Sequence, residues 1–383
     1  MKLRTLPILL AFLLMGVADA MGPLSDAVKH QFSLSTVMAT LMPFFVFIAF
    51  AIFSVPGGVL AAHIGKKRVL LLGLGLNTIA VAVPAFMTPP YALLLGCIFL
   101  LGMGTTFLQV AGNPIMRDVS EPGDYSRNLA LAQGFKGIGS SASAFLPSVV
   151  GGIGLLAAMG WRGAFPIFFV LMAIAFVLVL MMHIDETKVA EPPSIGSSLA
   201  LLGTPTFAFA VVGIFLYVGA EVCMGTFLKP TLAHLGFSEE KAAGFGPTMF
   251  FAFITIGRLT AGAIKVNPHT FFRLSALIGL IGVGCVMSGI QMLVLAGVVL
   301  SGLGFANIWP MLFSITVEEK PEASSELSGL MCMAISGGAL VPLVMGKLVD
   351  AGVSQMMSFL VPGACFAYLL ILSLKSGKGV VSA

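Results

Sequence analysis

The chain has 383 residues, of which 58% are hydrophobic and only 9% charged, and its mean hydropathy is +1.05. This composition excludes a soluble globular protein, and the net charge of +4 gives no support for nucleic-acid binding. A helix needs roughly 20 apolar residues to cross the hydrocarbon layer of a membrane. By that criterion the sequence predicts about twelve spans, near residues 5–28, 35–62, 69–87, 91–116, 128–156, 163–183, 203–228, 243–264, 270–286, 288–316, 326–349 and 353–374. We therefore predict an all-α membrane protein, because helices satisfy all their backbone groups within one segment in lipid.

Charged residues lie inside several of the predicted spans, including the first span, 5–28. The span begins like a secretory signal, but it continues too long and further spans follow, so we predict that it is retained. Asp19 lies in this span, Lys136 in the fifth and Glu221 in the seventh. A charge within a lipid-spanning helix is costly and normally faces a partner or a water-filled cavity. These three residues are the first candidates for a binding or coupling site.

The longest polar interruption, 185–200, contains a Pro-Pro pair followed by Gly and Ser, which is typical of an exposed linker. It divides the chain into an N-terminal bundle, 1–184, and a C-terminal bundle, 201–383, each with six predicted spans. We predict that 185–200 is a cytoplasmic linker between these bundles.

The two halves share a weak internal repeat. A Gly-Met-Gly sequence precedes Asn113-Pro114 in the fourth span, and a Gly-Leu-Gly sequence precedes Trp309-Pro310 in the tenth. Two related bundles with a substrate site between them are typical of transporters.

The distribution of basic residues predicts the orientation in the membrane. With the N-terminus placed in the cytoplasm, the inner loops and tails carry most of the Lys and Arg residues, Arg258 among them. The outer side carries only Lys29, Arg162, Lys229, Lys241 and Lys347. This asymmetry follows the positive-inside rule and places both termini in the cytoplasm.

The six-plus-six layout resembles the major facilitator superfamily. The loop after the second span, 58–68, is similar to that superfamily's cytoplasmic signature of Gly, Asp-Arg, Gly and basic residues. Ala62-His63 replaces the usual Asp-Arg pair, so the gating role of that Asp is not carried over. A partial second copy occurs at Gly257-Arg258-Leu259. The resemblance implies twelve transmembrane helices in two six-helix, pseudo-symmetric bundles.

Four further motifs give a more specific resemblance. They are Leu108-Gln109-Val110-Ala111-Gly112-Asn113-Pro114, Asn128-Leu129-Ala130-Leu131-Ala132-Gln133, Tyr217-Val218-Gly219-Ala220-Glu221 and Trp309-Pro310-Met311-Leu312-Phe313-Ser314. Together they look like the fucose and glucose/galactose cation-symporter family within that superfamily. The resemblance runs over nearly the whole chain, and it implies a secondary active sugar transporter in the bacterial inner membrane.

The resemblance also implies roles for individual residues. Asp19 lies where that family places a first-helix carboxylate linked to proton coupling. Gln109 stands where the fucose branch has a second carboxylate, so that proton site is missing, as in the glucose/galactose branch. Lys136 is a departure, because many members have Asn at that place. The coupling ion, proton or sodium, and its stoichiometry stay open.

Planar amides, carboxylates and aromatic rings are the groups that bind sugars, because they exchange several hydrogen bonds and cover the apolar sugar face. The predicted substrate-binding residues are Gln109, Asn113, Gln133, Glu221, Asn307 and Trp309. At ~1.5 Å per helical residue these polar groups form a band around mid-membrane, which favours one central site.

Asp19 and Lys136 are the predicted coupling residues. We hypothesise that they interact in one conformational state, and that proton or sodium binding to Asp19 releases Lys136. A competing hypothesis makes Lys136 a fixed counter-charge that removes the need for a proton. Their estimated depths differ by about 9 Å, which leaves a direct pair open.

These observations predict a monosaccharide importer of the fucose, glucose, galactose or mannose type, driven by cation symport through alternating access. The alternative is a proton-driven exporter of drugs or other small amphiphiles; a receptor without transport is a further reading. An enzyme is disfavoured, because the histidines lie at span ends without metal-ligand spacing. We expect no cofactor and no metal beyond the coupling ion. The expected partners are the lipid bilayer and a monosaccharide, and the protein is expected to function as a monomer. The five cysteines fall in apolar segments and are interpreted as packing residues.

Overall fold

The computed structural model describes residues 6–150, 152–184, 186, 193–265 and 267–376. Within these ranges the chain consists of α-helices joined by short turns, and no strand occurs. The all-α fold class predicted from composition is confirmed.

Before residue 204, the described helices follow the predicted spans closely. They are α1 Leu6–Met15, α2 Met21–Phe32, α3 Thr36–Ile64, α4 Lys66–Phe86, α5 Tyr91–Asp118, α6 Tyr125–Val150, α7 Gly154–Ala158, α8 Phe165–Met181 and α9 Ile195–Ala200. The predicted linker 185–200 lies partly outside the described residues, and its described end contains α9.

After residue 204 the helices again match the predicted apolar runs. They are α10 Pro205–His234, α11 Glu239–Ala243, α12 Met249–Ala263, α13 Pro268–Met287, α14 Gln291–Glu319, α15 Ser324–Met333, α16 Gly337–Asp350 and α17 Leu360–Ser376. A short π-helical segment, Gly244–Thr248, joins α11 to α12.

Ten described stretches are long and apolar enough to cross a membrane, and they correspond to ten of the predicted spans. The two remaining predicted spans are the first and the fifth. The fifth is α6, a helix of 26 residues whose polar side chains, Lys136 among them, lower its hydropathy. The first is broken into two helices.

The break in the first span lies at Asp19. Helix α1 ends at Met15, residues Ala18–Ala20 form a 3₁₀ turn, and α2 begins at Met21. The backbone N–H of Asp19 donates to the carbonyl of Gly16 at 3.1 Å, an i→i−3 bond in place of the α-helical one. A mid-helix 3₁₀ stretch of this kind often marks a functional site.

The turn between α3 and α4 is closed by a carboxylate from distant sequence. Gly65 has φ +97°, a backbone conformation that glycine adopts without strain. Glu186 accepts the backbone N–H groups of Lys66 and Lys67 at 2.6 and 2.9 Å, and thereby caps α4. The Lys66 ammonium donates to Asp118 at 2.5 Å, and both side chains are buried.

The chain forms two compact units. The first consists of Met1–Pro122, Phe135–Leu199 and Pro321–Met333. The second consists of Gly123–Gly134, Ala200–Lys320 and Ala334–Ala383. The division into bundles 1–184 and 201–383 stays a prediction.

Within the first unit, α15 packs closely on α3 and α5. A Cβ on Gly58 would lie 2.5 Å from the carbonyl oxygen of Ser325, so only glycine fits this crossing. The Ser328 hydroxyl donates to the carbonyl of Val110 at 2.7 Å.

Within the second unit, the start of α6 packs on the end of α12. A Cβ on Gly262 would lie 2.7 Å from the Cβ of Leu131. Asp124, directly before α6, forms ion pairs with Lys265 and Arg127, each at 3.0 Å.

Candidate functional site

Asp19 and Lys136 lie together in the first unit. The Lys136 ammonium is 3.9 Å from Oδ2 of Asp19, and the Ser140 hydroxyl donates to the same oxygen at 2.6 Å. The Asp19 side chain is 47% exposed and that of Lys136 20%. Asp19 is thus an accessible carboxylate with one hydroxyl donor and one ammonium beside it.

Glycines bring these side chains together. Lys136, Gly139 and Ser140 share one face of α6, because residues three and four apart are neighbours on a helix. A Cβ on Gly139 would overlap the carbonyl oxygen of Leu13, and one on Gly16 would overlap the backbone of Ser140. The backbones of the α1 end and α6 therefore touch, which places the long side chain of Lys136 within reach of Asp19.

Two predicted amides lie on one face of α5 in the same unit. Gln109 is 2% exposed, and within the described residues its Oε1 atom has no hydrogen-bond partner. Asn113, one turn further, is fully buried, and its Nδ2 lies 3.8 Å from the sulfur of Cys332. A buried acceptor without a partner costs free energy, roughly 1–3 kcal/mol, unless a ligand or water supplies a donor.

Glu221 belongs to a charged network in the second unit. Its Oε1 atom is 3.5 Å from the guanidinium of Arg258 on α12. The Arg258 Nη2 group donates to the hydroxyl of Tyr217 at 3.1 Å, and that hydroxyl donates to the carbonyl of Phe305 at 3.0 Å. The Arg258 Nε group donates to the carbonyl of Ala306 at 3.1 Å.

Asn307 and Trp309 lie next to this network on α14. Asn307 is 3% exposed, and its Nδ2 group donates to the carbonyl of Gly257 at 3.2 Å. Its Oδ1 atom has no hydrogen-bond partner in the described part of the chain. Trp309 is buried and stacks on Phe313, with ring centroids 4.8 Å apart.

The last predicted residue, Gln133, is buried on α6 and belongs to the second unit. It lies two residues beyond Leu131, which packs on Gly262 of α12. The first unit therefore contains Asp19, Gln109, Asn113 and Lys136, and the second contains Gln133, Glu221, Asn307 and Trp309.

The sequence interpretation of Arg258 was wrong. We predicted it in a cytoplasmic loop, as part of a second loop signature, but it lies inside α12 and is 8% exposed. Its position offered a signal, because it lies six residues before the end of the predicted span 243–264, about 9 Å inside it. Sequence reasoning also missed Ser140, whose hydroxyl gave no such signal.

In the part of the chain that the structure describes, the remaining ionisable groups do not form a metal centre. No group of three or more His, Cys, Asp or Glu residues suitable for a metal occurs among the described residues. All five cysteines are free thiols, and Cys97, Cys223, Cys332 and Cys365 are buried.

Comparisons with known proteins identify the family. The model of the Major Facilitator Superfamily matches residues 8–342. The glucose/galactose transporter of Brucella abortus is 29% identical over 374 residues, covering 91% of this chain and 88% of the relative. The L-fucose-proton symporter of Escherichia coli is 23% identical over 401 residues, covering 94% and 90%. The resemblance to sugar symporters predicted from four motifs is thereby confirmed.

The fold has a close match among solved structures. The crystal structure of a variant of the Escherichia coli fucose:proton symporter superposes with a TM-score of 0.81, at 22% identity, covering 98% of this chain and 99% of that one. The predicted twelve-helix architecture is therefore confirmed, with the first predicted span broken at Asp19. With the family model covering most of its length, this multi-pass membrane protein belongs to the Major Facilitator Superfamily.

Proposed function

We propose that the protein is a secondary active transporter that imports a monosaccharide by cation symport through alternating access. The observation that carries the proposal is that each unit contains a buried amide oxygen with no hydrogen-bond partner among the described residues, Oε1 of Gln109 in the first and Oδ1 of Asn307 in the second. Sugar hydroxyls are donors of the kind these acceptors require. The named functions of the relatives, glucose/galactose transport and L-fucose-proton symport, support sugar as the substrate class.

The other predicted ligands have side chains of the kinds that bind monosaccharides. Asn113 and Gln133 add amides, Glu221 adds an acceptor, and the indole of Trp309 offers an aromatic face for the apolar side of a sugar ring. We propose fucose, glucose, galactose or mannose as the sugar type.

The proposed coupling group is Asp19. Its carboxylate is accessible, and it stands at a break in a membrane helix, where transporters commonly place their ion sites. A proton or a sodium ion that binds Asp19 would displace the Lys136 ammonium, which lies 3.9 Å away. The competing hypothesis, in which Lys136 is a fixed counter-charge, predicts sugar transport without a cation requirement.

Drug export is the second candidate, and it has less support. A roomy apolar cavity would suit an exporter of amphiphiles, whereas Gln109 and Asn307 present buried acceptors with no partner in the described part of the chain. The relatives with named functions are sugar transporters.

The substrate can be tested by counterflow, in which proteoliposomes loaded with unlabelled sugar take up labelled sugar without an ion gradient. We expect exchange of at least one of fucose, glucose, galactose and mannose. Gln109→Ala should raise KM about tenfold, because one bound hydroxyl loses its acceptor. Gln291→Ala is the matched control, since Gln291 bonds the carbonyl of Leu235 at a helix end.

Exchange of none of these sugars would contradict the proposed substrate class. Equal KM values for the Gln109 and Gln291 variants would contradict the assigned role of Gln109.

A further inference from the structure

We infer that Arg258 is a positioning residue that holds Glu221 as a fixed, ionised acceptor for a hydroxyl of a neutral sugar. This inference rests on the proposed sugar transport. It adds a residue that the sequence interpretation had placed outside the membrane, and it predicts a substrate preference.

The first step is that the chain itself engages the Arg258 guanidinium. Its Nε group donates to Ala306, its Nη2 group donates to Tyr217, and Nη2 lies 3.5 Å from Glu221. The Arg258 side chain is 10% exposed. A planar guanidinium held at three points is fixed in direction, so Arg258 is suited to orient a partner rather than to capture an external anion.

The second step concerns the charge of Glu221. A buried charge within a membrane helix requires a partner, and Arg258 supplies the opposite charge on the neighbouring α12. Glu221 retains 19% exposure of its side chain, which is about twice that of Arg258. An ionised carboxylate only accepts hydrogen bonds, so a substrate group that binds it must be a donor.

The third step links Glu221 to Asn307. The backbone carbonyl of Ala306 binds Arg258, and the next residue, Asn307, binds the carbonyl of Gly257. A Cβ on Gly257 would lie 2.5 Å from the Cβ of Ala306, so glycine is what lets α12 and α14 approach this closely. The crossing of α12 and α14 therefore sets the positions of both the Arg258 guanidinium and the Asn307 amide. The Oδ1 atom of that amide has no partner among the described residues.

The substrate preference follows from these two acceptors. A carboxylate and an amide oxygen bind hydroxyl donors, and both repel an anionic substituent at the same place. We therefore expect discrimination against uronic acids and sugar phosphates at this subsite, because like charges or unpaired acceptors cost several kcal/mol in a poorly solvated site.

The test is counterflow of the transported sugar and its monodeoxy analogues in proteoliposomes containing the full chain. Glu221→Asp shortens the side chain by one methylene group and keeps the charge of the carboxylate. We expect KM for the parent sugar to rise about tenfold, and KM for one monodeoxy analogue to stay at its wild-type value. Arg258→Lys should give the same pattern, because an ammonium cannot reproduce the fork of contacts.

Two exposed residues provide matched controls, Glu240→Asp on α11 and Arg273→Lys on α13. Both controls should keep wild-type KM values for every sugar. Thermal unfolding in detergent should show that Glu221→Asp and Arg258→Lys remain folded.

The inference is overturned if Glu221→Asp raises KM for the parent sugar and for every deoxy analogue by the same factor, because that result indicates a structural role. It is also overturned if an unlabelled uronic acid inhibits uptake of the labelled sugar to the same extent as the unlabelled parent sugar does. Absence of exchange by the wild-type protein is a different failure, since it removes the proposed function itself.

Discussion

Lys136 is the cationic neighbour of the proposed coupling residue, Asp19. The Lys136 ammonium lies 3.9 Å from the carboxylate of Asp19. The depths estimated from the sequence differ by about 9 Å, which had left a direct pair open. A lysine at this distance provides the carboxylate with a cation that is covalently part of the chain. If Asp19 is the coupling site, as we propose, the coupling ion competes with Lys136 for its carboxylate, and the apparent affinity for the ion is lowered.

This competition can be measured in the Lys136→Met variant. Without the ammonium, we expect gradient-driven sugar uptake to reach half-maximal rate at about tenfold lower concentration of the coupling ion. The control is Lys241→Met, which removes an exposed lysine of α11. An unchanged ion dependence in Lys136→Met would show that Lys136 does not compete.

A second charged group sets a pH dependence of stability. The hydrogen bond from Lys265, together with the positive charge of Arg127, holds the pKa of Asp124 below its ordinary value, although burial opposes this shift. Because the pKa is lowered in the folded protein, ionised Asp124 stabilises the fold above about pH 3.9, and this contribution is lost as the pH falls through the lowered value.

Thermal unfolding in detergent between about pH 3 and about pH 6 tests this sign. The wild-type melting temperature should fall more steeply on acidification than that of Asp124→Asn, which has no carboxylate to protonate. Glu240→Gln, an exposed residue of α11, is the control and should follow the wild type. Parallel curves for wild type and Asp124→Asn would contradict the assignment.

At the scale of elements, the helix crossings through glycine decide where functional side chains meet. The break between α1 and α2 exposes Asp19, and the contact of Gly139 with the backbone of Leu13 brings α6 against that break. Hydropathy predicts the spans within a few residues, because long apolar runs determine them. It does not predict the break, because hydropathy does not report the local change from α-helical to 3₁₀ hydrogen bonding at Ala18–Ala20.

Substitution at the crossing tests its role. Gly139→Ala should lower stability by about 1–3 kcal/mol, because the added methyl overlaps the carbonyl of Leu13. Gly96→Ala is the matched control, since nothing lies within 4 Å of an added Cβ there. Unfolding of both variants in a denaturing detergent gives the comparison. Equal stability of the two variants would show that the α1–α6 contact is loose.

The candidate site was predictable in part, for physical reasons that differ between residues. Asp19, Gln109 and Asn307 were found because a polar side chain in an apolar run is conspicuous. Arg258 was misplaced, because its Cα lies near the end of a predicted span while its side chain reaches the Tyr217 hydroxyl. The partners of Glu221 could not be predicted, since the crossing of α10, α12 and α14 sets them and not local sequence.

For the whole molecule, the distribution of positive charge leads us to propose that both termini lie in the cytoplasm. The bacterial inner membrane, implied by the family resemblance, and a monomeric unit of function stay predictions. A fluorescent reporter that folds only in the cytoplasm should be bright when fused after Ser376 and dark when inserted at Gly236. The positive-inside asymmetry is the physical reason. Brightness at Gly236 and darkness at Ser376 would reverse the orientation.

We propose that sugar movement through this protein is coupled to a cation at Asp19. The most direct test is uptake of labelled sugar into proteoliposomes, with inward proton and sodium gradients imposed separately, for wild type and Asp19→Asn. We expect accumulation driven by one of the two ions, which is lost in Asp19→Asn while counterflow survives. Undiminished gradient-driven accumulation in Asp19→Asn would contradict coupling at Asp19. Coupling would also be contradicted if the wild type exchanges sugar in counterflow but accumulates none under either gradient.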